Sequence, residues 1–199
     1  MESIVKRLRR EREEVERVEK LLFEQLNTTG LQFDALIQRS DGWYNARNKR
    51  LTASNFGTIC ELSPHATARS LWQLMSGLIE DERNLNNDVH VNRGKNQESL
   101  ALKAYSRVTK NLISDTGFHL LPVPHEYLGA SPDAMIEDGK GLVEIKCPAR
   151  GHFERIPDEY MAQIQGQLAI CHRQYCDFCS FHTRHGIRIW RVQASTDYW

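Results

Sequence analysis

The stretch Ser131–Pro148, SPDAMIEDGKGLVEIKCP, gathers two carboxylates and a lysine at spacings that can do chemistry. Asp138-Gly139, or the four residues from Asp138 to Gly141, can close a hairpin there. The two-residue loop sets Asp133 opposite Glu144, and the four-residue loop sets it opposite Lys146. Both loops preserve parity, so Asp133, Glu144 and Lys146 share one face under either register, while Val143 and Ile145 take the other. Two facing carboxylates repel unless a cation lies between them. Oxygen ligands favour a hard ion, which points to Mg²⁺ or Mn²⁺. A lysine beside such an ion supplies charge and a hydrogen-bond donor where an anionic transition state forms. Glu98 would add a third carboxylate, because it falls on the apolar stripe of its helix with Ala101, Leu102, Tyr105 and Val108. A surface strand with a Glu-x-Lys pair would show the same letters, so the hairpin alone does not decide.

The elements that position these groups alternate along the chain. Helical periodicity runs over 69–78, 92–110 and 158–172, with a polar loop over 81–88. Strand chemistry occupies 118–148 and returns in YCDFCSFHT and GIRIWRV, which a turn near His185-Gly186 separates. Ahead of all this, Ile4, Leu8, Val15, Val18, Leu22 and Leu26 recur at helical spacings between mixed charges, and Asn27-Thr28-Thr29-Gly30 ends the run. The expected organisation is a charged N-terminal helix within 1–30 and one α/β domain over 31–199. The helix is expected to dock on the core or on a neighbour, since its acids nearly cancel its bases.

Composition narrows the function. With 26 basic and 26 acidic residues the formal charge is zero, so contact with a polyanion requires a local patch. No apolar run nears the roughly 18 residues that span a bilayer, and the N-terminus is charged where an export signal is apolar, which together point to an intracellular protein. Five cysteines fit reduced thiols. Cys171, Cys176 and Cys179 have the C-x₄-C-x₂-C spacing of an iron–sulfur run. A strand through YCDFCSF would put Cys176 and Cys179 on opposite faces, so buried thiols are expected there, not a cluster. The eight histidines form no zinc signature.

Five motifs occur in a familiar order: RNKRLTASNFG at 47–57, GKNQE at 94–98, GASPDA at 129–134, EIKCP at 144–148 and MAQIQGQ at 161–167. Together they resemble the lambda-exonuclease and YqaJ-like viral recombinase family of the PD-(D/E)xK nuclease superfamily. The resemblance implies a restriction-endonuclease-like α/β core, a mixed central sheet flanked by helices, with the N-terminal helix as an addition. It implies that Asp133, Glu144 and the Ile145 carbonyl bind metal, that Lys146 positions and activates water, and that Glu98 contacts the metal shell. By the same resemblance Gln165 touches the lysine region or the attacking water, with Gln163 a neighbouring glutamine, and Arg47 and Ser54 grip a 5′-terminal phosphate. The implied activity is Mg²⁺-dependent, two-ion hydrolysis of DNA, 5′→3′ from duplex ends, leaving 3′ single strands for recombination. Implied partners are duplex ends, a single-strand annealing protein and further copies of the chain in a trimer. The compartment would be cytoplasm for a phage or bacterial protein and nucleus for a eukaryotic or eukaryotic viral one. The rival readings are an endonuclease or structure-specific nuclease on the same core, and a catalytically silent DNA-binding or assembly module.

Overall fold

A computed structural model describes residues 38–48, 50–79 and 89–199, with 89–96 described by their backbone alone. The expected helix over the N-terminal residues, the boundary at residue 30 and the polar loop over 81–88 lie outside the described residues.

Among the described residues, helices α1 (Asp41–Arg47), α2 (Phe56–Ile59), α3 (Ala68–Met75), α4 (Val89–Thr109) and α5 (Asp158–Ile170) are joined by eight strands. The strands are β1 (Leu51–Thr52), β2 (Ile113–Ser114), β3 (His119–Leu120), β4 (Leu128–Ala130), β5 (Ala134–Ile136), β6 (Gly141–Lys146), β7 (Tyr175–His182) and β8 (Gly186–Gln193). Helix α3 stops earlier than its periodicity suggests, because Gly77 takes a left-handed φ of +72° that breaks the run. Among the described residues no helix is long and apolar enough to cross a membrane.

The strands form a mixed five-stranded sheet ordered β2-β5-β6-β7-β8 and a small sheet ordered β1-β4-β3. In the larger one β6 and β7 are parallel and the remaining pairings antiparallel. Parallel neighbours need a crossover, and α5 supplies it. The sheet is covered on both sides, which is why GLVEI of β6 is buried at every position. Even-numbered positions, with Leu142, Cys176 and Phe178, pack with Ile164 and Leu168 of α5. Odd-numbered positions, with Val143, Ile145, Cys179 and Phe181, pack with Ala101 and Tyr105 of α4. Cys176 and Cys179 therefore sit in separate cores on opposite faces, and none of the five cysteines forms a disulfide.

Three contacts set the frame of the site. The pairing Ala134↔Val143 and Met135↔Leu142 is the register of the two-residue loop, so Asp133 lies across from Glu144. Chain β4 belongs to the small sheet and β5 to the large one, and Asp133 falls in the short link where the chain changes sheet. Gly166 of α5 lies beneath Phe56: a Cβ there would come 2.2 Å from the Phe56 ring. The motif glycine thus permits a close approach between α5 and the segment that follows Ser54.

Candidate functional site

Glu144, 3% exposed in the middle of β6, is the most tightly held acid of the cavity. Its Oε1 accepts hydrogen bonds from Lys146 Nζ at 2.7 Å and Gln163 Nε2 at 2.6 Å, and its Oε2 accepts one from Gln167 Nε2 at 2.7 Å. Gln163 and Gln167 are four residues apart, hence neighbours on one face of α5. Gln165, two residues from each, falls on the far side of the helix. There Gln165 Nε2 donates to the Gln193 carbonyl at 2.9 Å, and the Ser195 N–H donates to Gln165 Oε1 at 2.9 Å. The expectation for Gln165 is corrected accordingly: it fastens the end of β8, and the pair that meets the β6 carboxylate is Gln163 and Gln167.

Asp133 reaches across the hairpin, where its Oδ2 accepts the Ile145 N–H at 2.6 Å. Burial first, and then the negative charges of Glu144 and Glu98, push its carboxyl well above the usual range, against Lys146 and the Ile145 N–H. Lys146 carries the opposite balance. Burial disfavours its charge, but the Glu144 and Asp133 carboxylates outweigh that and hold its pKa above the ordinary lysine value. Its Nζ also lies 4.8 Å from the centre of the Tyr160 ring. In the metal-free protein Lys146 is therefore held as an ammonium, a hydrogen-bond donor.

Facing these groups is the segment around α1. A cavity of about 160 Å³ is lined by Asp133, Glu144, Gln163 and Gln167 on one side and by Arg39, Trp43, Arg47 and Ser54 on the other. Ser40 caps α1 by accepting the Trp43 N–H, which fixes the helix that presents Trp43 and Arg47. The Arg47 guanidinium lies 4.2 Å over the Trp43 ring and 5.8 Å from that of Phe118, and its Nη2 donates to Ser54 Oγ at 3.5 Å. Burial lowers the Arg47 pKa, opposed by Tyr44 and Glu144. Trp43 is pinned in turn through Nε1 to Ser131 Oγ at 3.0 Å. The fold thus brings Arg47, Ser54, Asp133 and Glu144 to one cavity from four separate segments.

Glu98 stands beside this cavity with its carboxylate turned to Arg39, which donates to it through Nη2. Among the described residues no three His, Cys, Asp or Glu side chains form a cluster that could hold a metal ion. The donors that do face one another suit a hard cation all the same. Asp133 and Glu144 are buried like charges whose repulsion raises the Asp133 pKa, and a cation between them would relieve it. Asp133 Oδ1 accepts no hydrogen bond from a described residue, and Glu144 keeps part of its lone-pair capacity beyond three donors.

Sequence reasoning did not single out Gln167, Trp43 or Arg39. A signal for Gln167 was available in its spacing from Gln163 on a helix otherwise rich in small and apolar residues. Nothing in the letters links Arg39 to Glu98, which lie 59 positions apart.

Residues 42–174 match the YqaJ-like viral recombinase domain family. Similar solved structures include an alkaline exonuclease (LHK-Exo) from Laribacter hongkongensis, with 28% identity and a TM-score of 0.65 over 79% of this chain and 84% of that one. LHK-Exo in complex with dAMP aligns at 27% identity and a TM-score of 0.66, over 80% of this chain and 85% of that one. A phage related exonuclease from Haemophilus somnus 129PT shares the fold at 13% identity and a TM-score of 0.54, over 75% of this chain and 86% of that one. No curated protein matches the chain. The mixed α/β architecture is that of the PD-(D/E)xK exonucleases.

Proposed function

Because the chain belongs to the YqaJ-like viral recombinase family, we propose that it is a Mg²⁺-dependent deoxyribonuclease that degrades duplex DNA 5′→3′ from its ends, leaving 3′ single strands for recombination. The observation that carries this reading is the two-sided cavity, with Asp133 and Glu144 on one wall and Arg47 and Ser54 on the other. Carboxylates that can hold a hard cation, beside a guanidinium and a hydroxyl that can hold a phosphate, make a site for cutting a phosphodiester near a phosphorylated end. The similar LHK-Exo was solved with dAMP, a deoxynucleoside monophosphate, which supports DNA as the substrate class.

Asp133, Glu144 and the Ile145 carbonyl would hold Mg²⁺ or Mn²⁺, two ions in this reading, which would supply Lewis acidity and a more acidic water. The chain supplies position and charge. Lys146, kept as an ammonium, donates to the attacking water or to the oxygen that gains charge. Gln163 and Gln167 prevent the Glu144 carboxylate from rotating. Arg47 forms a planar fork over Trp43, and with Ser54 it grips the terminal phosphate, whose extra charge an internal phosphate lacks. The 3′ strand that remains is a substrate for a single-strand annealing protein.

The test compares 5′-phosphorylated linear duplex, 5′-hydroxyl linear duplex and covalently closed circles in Mg²⁺. The phosphorylated ends should be degraded fastest and the circles left intact. Rapid cutting of circles would make the protein an endonuclease, and binding without cleavage would make it a DNA-binding or assembly module.

A further inference from the structure

Arg39 has no task in the mechanism above, yet it lines the same cavity as Asp133, Glu144 and Arg47. Its side chain is 40% exposed, and its one hydrogen bond among the described residues runs from Nη2 to Glu98. A guanidinium carries five N–H donors in a rigid fork, and among the described residues only one of those of Arg39 is used, by Glu98. The ion pair by itself explains little, because a partly exposed pair adds little stability. The backbone makes the position more unusual still. Arg39 holds a φ of +69°, a left-handed conformation that glycine or asparagine adopts more readily than arginine.

Arg39 and Arg47 differ in setting. Arg47 is sheltered between Trp43 and Phe118 and reaches Ser54. Arg39 stands nearer solvent, tied to the acid whose charge Asp133 feels. A DNA strand entering such a cavity brings a row of phosphates, one charge for each nucleotide. We propose that Arg39 binds an internal phosphodiester of the substrate strand, a phosphate subsite separate from the terminal-phosphate pair Arg47 and Ser54. Glu98 then orients the Arg39 fork. This deepens, and rests on, the reading of the protein as a DNA nuclease.

The test uses the full chain and a short 5′-phosphorylated duplex, with Ca²⁺ in place of Mg²⁺ so that binding is measured without turnover, across a series of salt concentrations. Arg39→Asn suits the left-handed backbone and removes the charge, whereas Arg39→Lys keeps the charge. Arg39→Asn should make the slope of log affinity against log salt shallower by about one, and weaken binding about tenfold near physiological salt. Arg39→Lys should keep the wild-type slope. In Mg²⁺, Arg39→Asn should keep the wild-type ratio of rates on 5′-phosphorylated and 5′-hydroxyl ends, which places its phosphate away from the terminus. An unchanged slope with a lowered melting temperature would reduce Arg39 to an ion pair of the fold and overturn the proposal. Loss of the end-preference ratio in Arg39→Asn would overturn it too, by assigning Arg39 to the terminal pocket. Failure of the nuclease reading looks different, since the wild-type chain would then leave the linear duplex uncut in Mg²⁺, whatever the salt slope of Arg39→Asn.

Discussion

Gln163 and Gln167, one helical turn apart on α5, each donate to a different oxygen of the Glu144 carboxylate, so the crossover helix clamps the acid of β6 from both sides. Removing one donor should misorient the acid without unfolding the chain. Gln167→Leu should slow cleavage about 10–100-fold and raise the Mg²⁺ concentration needed for half-maximal rate, as loss of a partner to a metal-ligating group does. Gln165→Ala should leave the rate near wild type while lowering stability by about 1–3 kcal/mol, since two hydrogen bonds at the end of β8 go with it. Cleavage assays and thermal melts on the two variants should give opposite patterns.

The raised pKa of Asp133 predicts how the metal-free protein responds to pH. Burial and the neighbouring Glu144 make its ionised form costly in the folded state only. The folded state therefore binds that proton more tightly than the unfolded state does. Stability from this group is present below the ordinary carboxylate pKa, near about 4, and is lost as pH rises from there through the folded value. Melts in EDTA should show this decline, Asp133→Asn should flatten it, and Mg²⁺ should restore stability at neutral pH. The same variant should bind duplex in Ca²⁺ and cut none in Mg²⁺.

Lys146→Ala should lower the rate by about two to three orders of magnitude, the range for loss of one donor to a developing charge. Mg²⁺ affinity of the variant should change little, because Lys146 is not among the groups proposed to hold the metal. Steady-state rates, with calorimetry of Mg²⁺ binding to the variant, check both statements.

Arg47→Ala should remove most of the preference for phosphorylated ends by slowing that substrate alone. The expected loss is about 1.5–3 kcal/mol, the value of a charge-assisted hydrogen bond. Parallel digestion of 5′-phosphorylated and 5′-hydroxyl duplexes measures it.

On the other face of the sheet, buried Asp177 accepts from Tyr105 OH at 2.7 Å and from Arg191 through two nitrogens at 2.8 and 2.9 Å. Tyr105 also accepts from Asn111 Nδ2 at 2.8 Å. Tyr105→Phe deletes the link between α4 and β7 and should cost about 1–2 kcal/mol. The melting temperature should fall by roughly 2–8 °C, with the rate of the folded enzyme unchanged.

The hairpin was legible because its logic is parity. Once Asp138-Gly139 closes the turn, Asp133, Glu144 and Lys146 share a face whatever the details, and the observed register is one of the two that the turn allows. The same parity separates Cys176 from Cys179. The glutamines of α5 were not legible in that way. Choosing among Gln163, Gln165 and Gln167 requires a helix with an apolar side and a polar side, and α5 is buried from Ala162 to Leu168 without interruption. All three look alike in the sequence, and only the packing tells which face meets β6. Pairing across distant segments was equally hidden: Trp43 with Ser131 and Arg39 with Glu98 depend on where loops bring the chain together.

The contact of Gly166 with the Phe56 ring fixes more than the packing of two elements. Phe56 follows Ser54 by two residues, and Gly166 lies between Gln163 and Gln167 in the same helix. The group that would hold a strand end and the groups that steady the cutting acid are therefore fastened to each other without a flexible joint. Gly57 adds a second rivet, for a Cβ there would come 2.7 Å from that of Glu159. Under the proposed reading, such a frame acts as a ruler: the offset between the gripped end and the cut bond is constant, so the increment removed at each turnover is a property of the fold and not of the base sequence passing through it.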